Sequence, residues 1–316
     1  MSPDRQPAPG SAVSGPERTR VWQVPEPLAV HDARLGDGAV IALRRHGNPS
    51  GPRIVLSHGN SLAIDLYYPF WSQFADACDL VVYDLRNHGW NAPGPLRTHH
   101  VPTLIDDHLR IQDAIEQGFG KKPQAGVFHS LSGLVSLLSP TRGGEFTARV
   151  LFDPPLGEFG PAREECVEVA RRAAKMTLAR AERYPTRAEF AKVLREMLAF
   201  QHVVPGVRRL MARTTLRRSP DGDGYILRCP REYEAQIYRY GGQYAALIDF
   251  GALACPTMVM GADPAIPHTY FPTTELHHIP TVDYAYLPGG THLLQLEQPE
   301  ASAAATLDYL KANGLF

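Results

Sequence analysis

Apolar positions along this chain fall into two rhythms. RIVLS (53–57), DLVVYD (79–84), QAGVFH (124–129) and ARVLFD (148–153) are short, nearly continuous apolar runs, the pattern of strands covered on both faces. Between them lie longer segments able to be helices, notably 63–77 and 103–117, which predict crossover helices. Earlier in the chain, LAVHDARL and AVIALRRH flank Gly36-Asp37-Gly38 and predict an antiparallel hairpin between Leu28 and His46. The strand rhythm stops after 156 and resumes at PTMVMG (256–261) and VDYAYLP (282–288). A helix follows over 299–312, with Pro299 in its first turn and Gly314 at its stop. The predicted fold is α/β: a mostly parallel, doubly wound sheet over 21–156 and 251–316, interrupted by an insertion over 157–250.

The insertion predicts a helical subdomain. Thr186 and Glu189 have capping-box spacing at the start of TRAEFAKVLREMLAF, in which Phe190, Val193, Leu194, Met197 and Leu198 recur at helical intervals. An insertion between sheet strands suits a lid over a site. Its Phe200, Met211, Tyr225, Tyr233, Tyr238, Tyr240 and Tyr244 are candidate pocket walls, although most such residues simply pack the subdomain onto the core. Residues 1–20, with Pro3, Pro7, Pro9 and Pro16 among small and charged residues, read as a disordered tail without the apolar stretch of an export signal.

Charge narrows the partners. Lys and Arg total 32 against 33 Asp and Glu, a formal net charge of -1, so no basic excess points to nucleic acid. No apolar run approaches the roughly 18 residues that span a bilayer. Cys78, Cys166, Cys229 and Cys255 are scattered without a CxxC pair, which predicts a reducing, cytoplasmic setting. His99-His100 and His277-His278 lack a matching ligand set, and no glycine-rich phosphate loop is present. Neither a metal nor another cofactor is expected. The expected partner is a small-molecule substrate.

Chemistry concentrates at the strand ends. QAGVFHSLSGLVSLL runs from a predicted strand through His129-Ser130-Leu131-Ser132-Gly133 into a helix-forming stretch, the setting of a nucleophile elbow that lifts Ser130 above the sheet. Asp263 follows the strand PTMVMG, where it would orient an imidazole, and His292 lies in the loop after the next strand. Asn60, after IVLSHG, and Leu131, at the helix start, would supply backbone N–H donors to an oxyanion.

These features together resemble the α/β-hydrolase superfamily, in its lid-bearing, esterase- and lipase-like group. The resemblance spans about residues 28–316 and rests on His58-Gly59, DLRNHGWN (84–91), the Ser130 elbow, GADP (261–264) and GGTH (289–292). It implies a serine hydrolase with a Ser130–Asp263–His292 triad, acting on an ester or related acyl bond through an acyl-enzyme. A carbon–carbon bond hydrolase using the same groups and a slow-turnover binding or sensor protein are the alternatives. His58 and His88 are expected to pack glycine turns, and Asp84 and Arg86 to pair with each other. The chain departs from the pattern in three places. Phe128 replaces a small residue two positions before the serine, Ser132 replaces a glycine two positions after it, and GADP lacks the residue that usually separates glycine from aspartate. Asp153, in LFDPP, is therefore an alternative acid. Phe128 and Tyr238 are candidate substrate-pocket residues.

Overall fold

The computed structural model describes residues 20–156, 162–266 and 279–316. The 1–19 portion of the predicted tail and the His277-His278 doublet lie outside these residues. The hairpin forms as β1 (Ala29–Arg34) and β2 (Val40–Gly47), paired antiparallel across the Gly38 turn. After it come β3 (Arg53–Ser57), β4 (Asp79–Tyr83), β5 (Gln124–His129) and β6 (Ala148–Phe152), each buried along its whole length. β2 meets β4 antiparallel, whereas β4–β3, β3–β5 and β5–β6 are parallel.

Continuous apolar runs arise here because each strand feeds two cores. Ile54, Leu56 and Val127 point to one, with Phe70, Trp71 and Leu310; Val55 and Phe128 point to the other, with Ile111, Leu134 and Phe146. Over the second core lie α2 (Val101–Phe119), capped by His100, and α3 (Leu131–Leu138). Segment 63–77 differs from expectation. It breaks into 3-10 turns around the single turn α1 (Tyr68–Trp71), because Pro69 has no N–H with which to continue a helical ladder.

Between β6 and the return of the sheet come α4 (Ala162–Ala179), β7 (Arg183–Tyr184), α5 (Arg187–Glu196), α6 (Val207–Thr214), β8 (Leu216–Arg218), β9 (Tyr225–Leu227) and α7 (Arg231–Tyr240). The three strands form a small antiparallel sheet ordered β7-β9-β8, so the insertion is not purely helical. Strands this short carry no readable alternation. Thr186 accepts a hydrogen bond from Glu189 N at 3.1 Å, but the Glu189 carboxylate turns to Lys192 instead of closing the box. The main sheet is completed in parallel by β10 (Thr257–Gly261) beside β6 and β11 (Asp283–Tyr286) beside β10. Then α8 (Leu294–Glu297) and α9 (Pro299–Ala312) close the chain against α1. Among the described residues no helix is long and apolar enough to cross a membrane.

Candidate functional site

Ser130 sits at the β5–α3 junction with φ 50° and ψ −114°, a backbone state costing about 1–3 kcal/mol that persists only where neighbours impose it. Ser130 N donates to Phe152 O at 2.7 Å. Ser132, in place of a glycine, clamps the turn: its hydroxyl accepts from His129 N at 3.1 Å and donates to His129 O at 2.9 Å. Gly126 makes room for the bulky Phe128. A Cβ on Gly126 would lie 2.6 Å from the Phe128 ring, which packs on His108 and Phe146 in the second core. Phe128 is fully buried there and does not face the pocket, which corrects its assignment as a pocket residue.

His292 donates from Nδ1 to Asp153 Oδ2 at 2.5 Å. Asp153 directly follows β6 with φ 40°, and its other oxygen accepts from Ala262 N at 3.3 Å. The expectation that Asp263 holds the imidazole is therefore corrected. Asp263 Oδ1 accepts from Ala265 N and Oδ2 from Gly289 N, both at 2.8 Å, and Asp263 N donates to Gly290 O. With the loop one residue short, this carboxylate braces the backbone ahead of His292 while Asp153 takes Nδ1. Glu297 braces the same loop through Thr291.

His129, just before Ser130, ties this loop to the segment after β3. Its Nε2 donates to His292 O at 2.8 Å, and its Nδ1 accepts from the Tyr67 hydroxyl at 2.6 Å. The carbonyl accepts only, which fixes the tautomer. Burial, and secondarily the nearby His292, hold the His129 pKa well below the ordinary histidine value, so the ring is neutral. Gly59 abuts the same ring: a Cβ there would lie 2.7 Å from His129 Nδ1 and 3.0 Å from Ser130 Cβ. The backbone N–H groups of Asn60 and Leu131 have no acceptor among the described residues.

Other polar residues carry the loops. His88 Nδ1 donates to Arg86 O and Nε2 accepts from Ser61 N; His58 donates to Gly59 O and accepts from Leu85 N. The expected Asp84–Arg86 pair does not form. Asp84 meets Arg44 at 2.7 Å, whereas Arg86 meets Asp107 at 2.5 Å and Asp37 at 2.9 Å. His88, His99 and Cys229 converge within 4.8 Å, but the set does not fit a metal. Both His88 nitrogens are engaged, and Asn87 donates to His99 Nδ1 at 3.1 Å, leaving the proton on the other nitrogen.

Ser130, Asp153, His292, Asn60 and Leu131 line one cavity, which with its mouth has about 1170 Å³ of space. From the insertion, Phe190, Leu194, Met197, Phe200, Met211 and Tyr238 also line it. Tyr240 and Tyr244 instead line a separate surface hollow beside Arg97 and His100. Sequence reasoning missed Arg180 and Glu234 in the cavity wall and Tyr67 beneath it. Nothing local marks the first two, because the insertion's path alone brings them inward.

Residues 54–305 match the model of a family described as the alpha/beta hydrolase family. The chain has no match among curated protein sequences. Its structure is similar to that of E-2-(acetamidomethylene)succinate hydrolase (TM-score 0.71, 16% identity, covering 90% of this chain and 99% of that one). It also resembles the thioesterase domain from the curacin biosynthetic pathway (0.65, 17%, 88% and 99%). A third similar structure is a thermophilic esterase from Thermogutta terrifontis, solved with malate bound (0.63, 20%, 90% and 98%). At these identities the likeness is one of fold.

Proposed function

Since the chain belongs to the alpha/beta hydrolase family, we propose that it is a serine hydrolase that cleaves a carboxylic ester or related acyl bond of a small to medium, partly apolar substrate. The observation that carries this reading is the convergence in one cavity of Ser130, on its strained turn, with His292, whose Nδ1 is bonded to Asp153. In the proposed mechanism His292 Nε2 takes the Ser130 proton as the Oγ attacks the substrate carbonyl, and Asp153 stabilises the imidazolium. The oxyanion accepts from the N–H groups of Asn60 and Leu131; a donor of this kind contributes about 3 kcal/mol to the transition state. His292 then protonates the leaving group, and water activated by the same ring releases the acyl group from Ser130. The insertion acts as the lid, its apolar wall taking the acyl chain. Similar folds named a thioesterase and an esterase are compatible with this chemistry.

Intact-mass analysis after fluorophosphonate treatment tests the reading, beside a turnover screen of esters, thioesters and amides. One adduct on the wild type, none on Ser130→Ala and steady turnover of an acyl substrate are expected. Equal labelling of both proteins would remove Ser130 from its role, and a single labelling event without turnover of any substrate would favour a binding protein.

A further inference from the structure

Arg180 follows α4 and enters the cavity wall beside Tyr184, Glu234 and Tyr238. One of its amino groups, Nη2, donates to Glu234 Oε2. The Glu234 side chain is sealed, at 3% exposure, while that of Arg180 retains 31%. Thr177 Oγ1 donates to Glu234 Oε1 at 3.5 Å, so each carboxylate oxygen already accepts a hydrogen bond. The guanidinium is therefore the face of this ion pair that the cavity presents. Its Nε is buried without a hydrogen-bond partner, and its remaining amino group, Nη1, makes no hydrogen bond among the described residues. Burial disfavours the Arg180 charge, but attraction and hydrogen bonding from Glu234 outweigh it. The result is a fixed cation in a wall otherwise rich in Phe190, Leu194, Met197 and Phe200.

A cation kept in an apolar cavity with a free donor suits an acyl group that ends in an acceptor of opposite charge, because charge-assisted hydrogen bonds strengthen where water is excluded. We infer that the substrate carries a carboxylate remote from its scissile carbonyl and that Arg180 docks it through Nη1. This rests on the acyl-enzyme reading above and adds the substrate's charge. Arg180 is a specificity residue here; Glu234 balances its charge and holds the guanidinium in place. The apolar residues then enclose the chain between the two ends.

The test compares kcat/KM for matched 4-nitrophenyl esters, each neutral acyl chain against the chain of equal length ending in a carboxylate: butyrate with succinate, valerate with glutarate, hexanoate with adipate. At the best-fitting length the wild type should prefer the carboxylated ester by about 10- to 100-fold. Arg180→Met alone would strand the buried Glu234 charge, so it is combined with Glu234→Gln. This double variant should bring the ratio to one or below. Arg180→Lys, which keeps the charge but loses the planar fork, should lower the ratio several-fold. Wild-type preference for the neutral ester in every pair overturns the proposal without needing a variant, as does an unchanged ratio in either folded variant. Fluorophosphonate labelling separates the two failures. An unlabelled wild-type Ser130 overturns the acyl-enzyme reading, whereas a labelled serine with no carboxylate preference overturns only the role of Arg180.

Discussion

His292 and Asp153, 139 positions apart in sequence, meet through a 2.5 Å hydrogen bond from Nδ1 to Oδ2. The bond joins the loop after β11 to the end of β6, two strands away in the sheet. Asp153 reaches it from a left-handed backbone, with its N–H bonded to Met260 O at 2.9 Å. The end of β10, where Asp263 stands, has become a bracket for the histidine loop.

Asparagine at each position separates these duties. Asp153→Asn should leave the fold intact and lower kcat/KM by about 10^4-fold, because the amide no longer holds the productive tautomer of His292. Asp263→Asn removes one acceptor from a backbone bracket and should cost about tenfold or less. Steady-state kinetics on both variants decide the matter, and the reverse ranking would return the acid role to Asp263.

The elbow depends on the absence of a side chain at Gly126. Gly126→Ala would set a Cβ 2.6 Å from the Phe128 ring and 3.2 Å from that of Phe146, and neither ring has slack in a fully packed core. A loss of about 1–3 kcal/mol in urea unfolding is expected, with turnover falling as β5 shifts beneath Ser130. Adding Phe128→Leu should recover part of both losses. Wild-type stability in the single variant would show that the rings repack freely.

Much of this arrangement was legible in the sequence, for identifiable reasons. Strands such as RIVLS and ARVLFD are covered on both faces, so their apolar runs are continuous and stand out. The Ser130 turn was legible because its small residues are local to it. Other features depend on distant contacts. Asp153 and Asp263 both end buried strands, and only the path of the short 261–264 loop decides which carboxylate faces His292. Phe128 read as a possible pocket residue because its accommodation by Gly126 is a packing fact without a sequence signature. Arg86 pairs with Asp107 and Asp37, and Asp84 with Arg44, partners that lie 21 to 49 positions away and that no local pattern marks.

Buried neutral histidines make stability depend on pH. Burial and, secondarily, Arg44 lower the His46 pKa to about 4. Burial, followed by the charges of Arg86 and His100, lowers that of His99 to about 3. In the unfolded chain both titrate near 6.5. Their contribution is therefore complete above that value and is lost as pH falls toward the folded values, because the unfolded chain then binds more protons. Each such histidine removes about 1.4 kcal/mol per pH unit in that window. Urea midpoints should hold between pH 8 and 7 and fall steadily from 6 to 4.5. A flat profile down to pH 4.5 would mean that these rings are charged in the folded protein.

The Tyr67 hydroxyl is expected to act on turnover without touching substrate. It donates to His129 Nδ1 at 2.6 Å, and Gly59 N approaches the same oxygen at 3.5 Å. With Nδ1 so engaged, the His129 proton stays on Nε2, where it holds the carbonyl of His292. Tyr67→Phe keeps the ring packed but leaves Nδ1 without its donor in a buried site, a loss of about 1–3 kcal/mol in stability. It also frees His129 to adopt the other tautomer, whose Nε2 lone pair would face the His292 carbonyl and push the loop away from Ser130. The expected result is a fall in kcat of about tenfold with KM nearly unchanged, since small displacements of catalytic groups are costly while the cavity wall is intact. A variant that loses stability but keeps its kcat would reduce Tyr67 to a packing residue and show that His292 is positioned by Asp153, Asp263 and Glu297 alone.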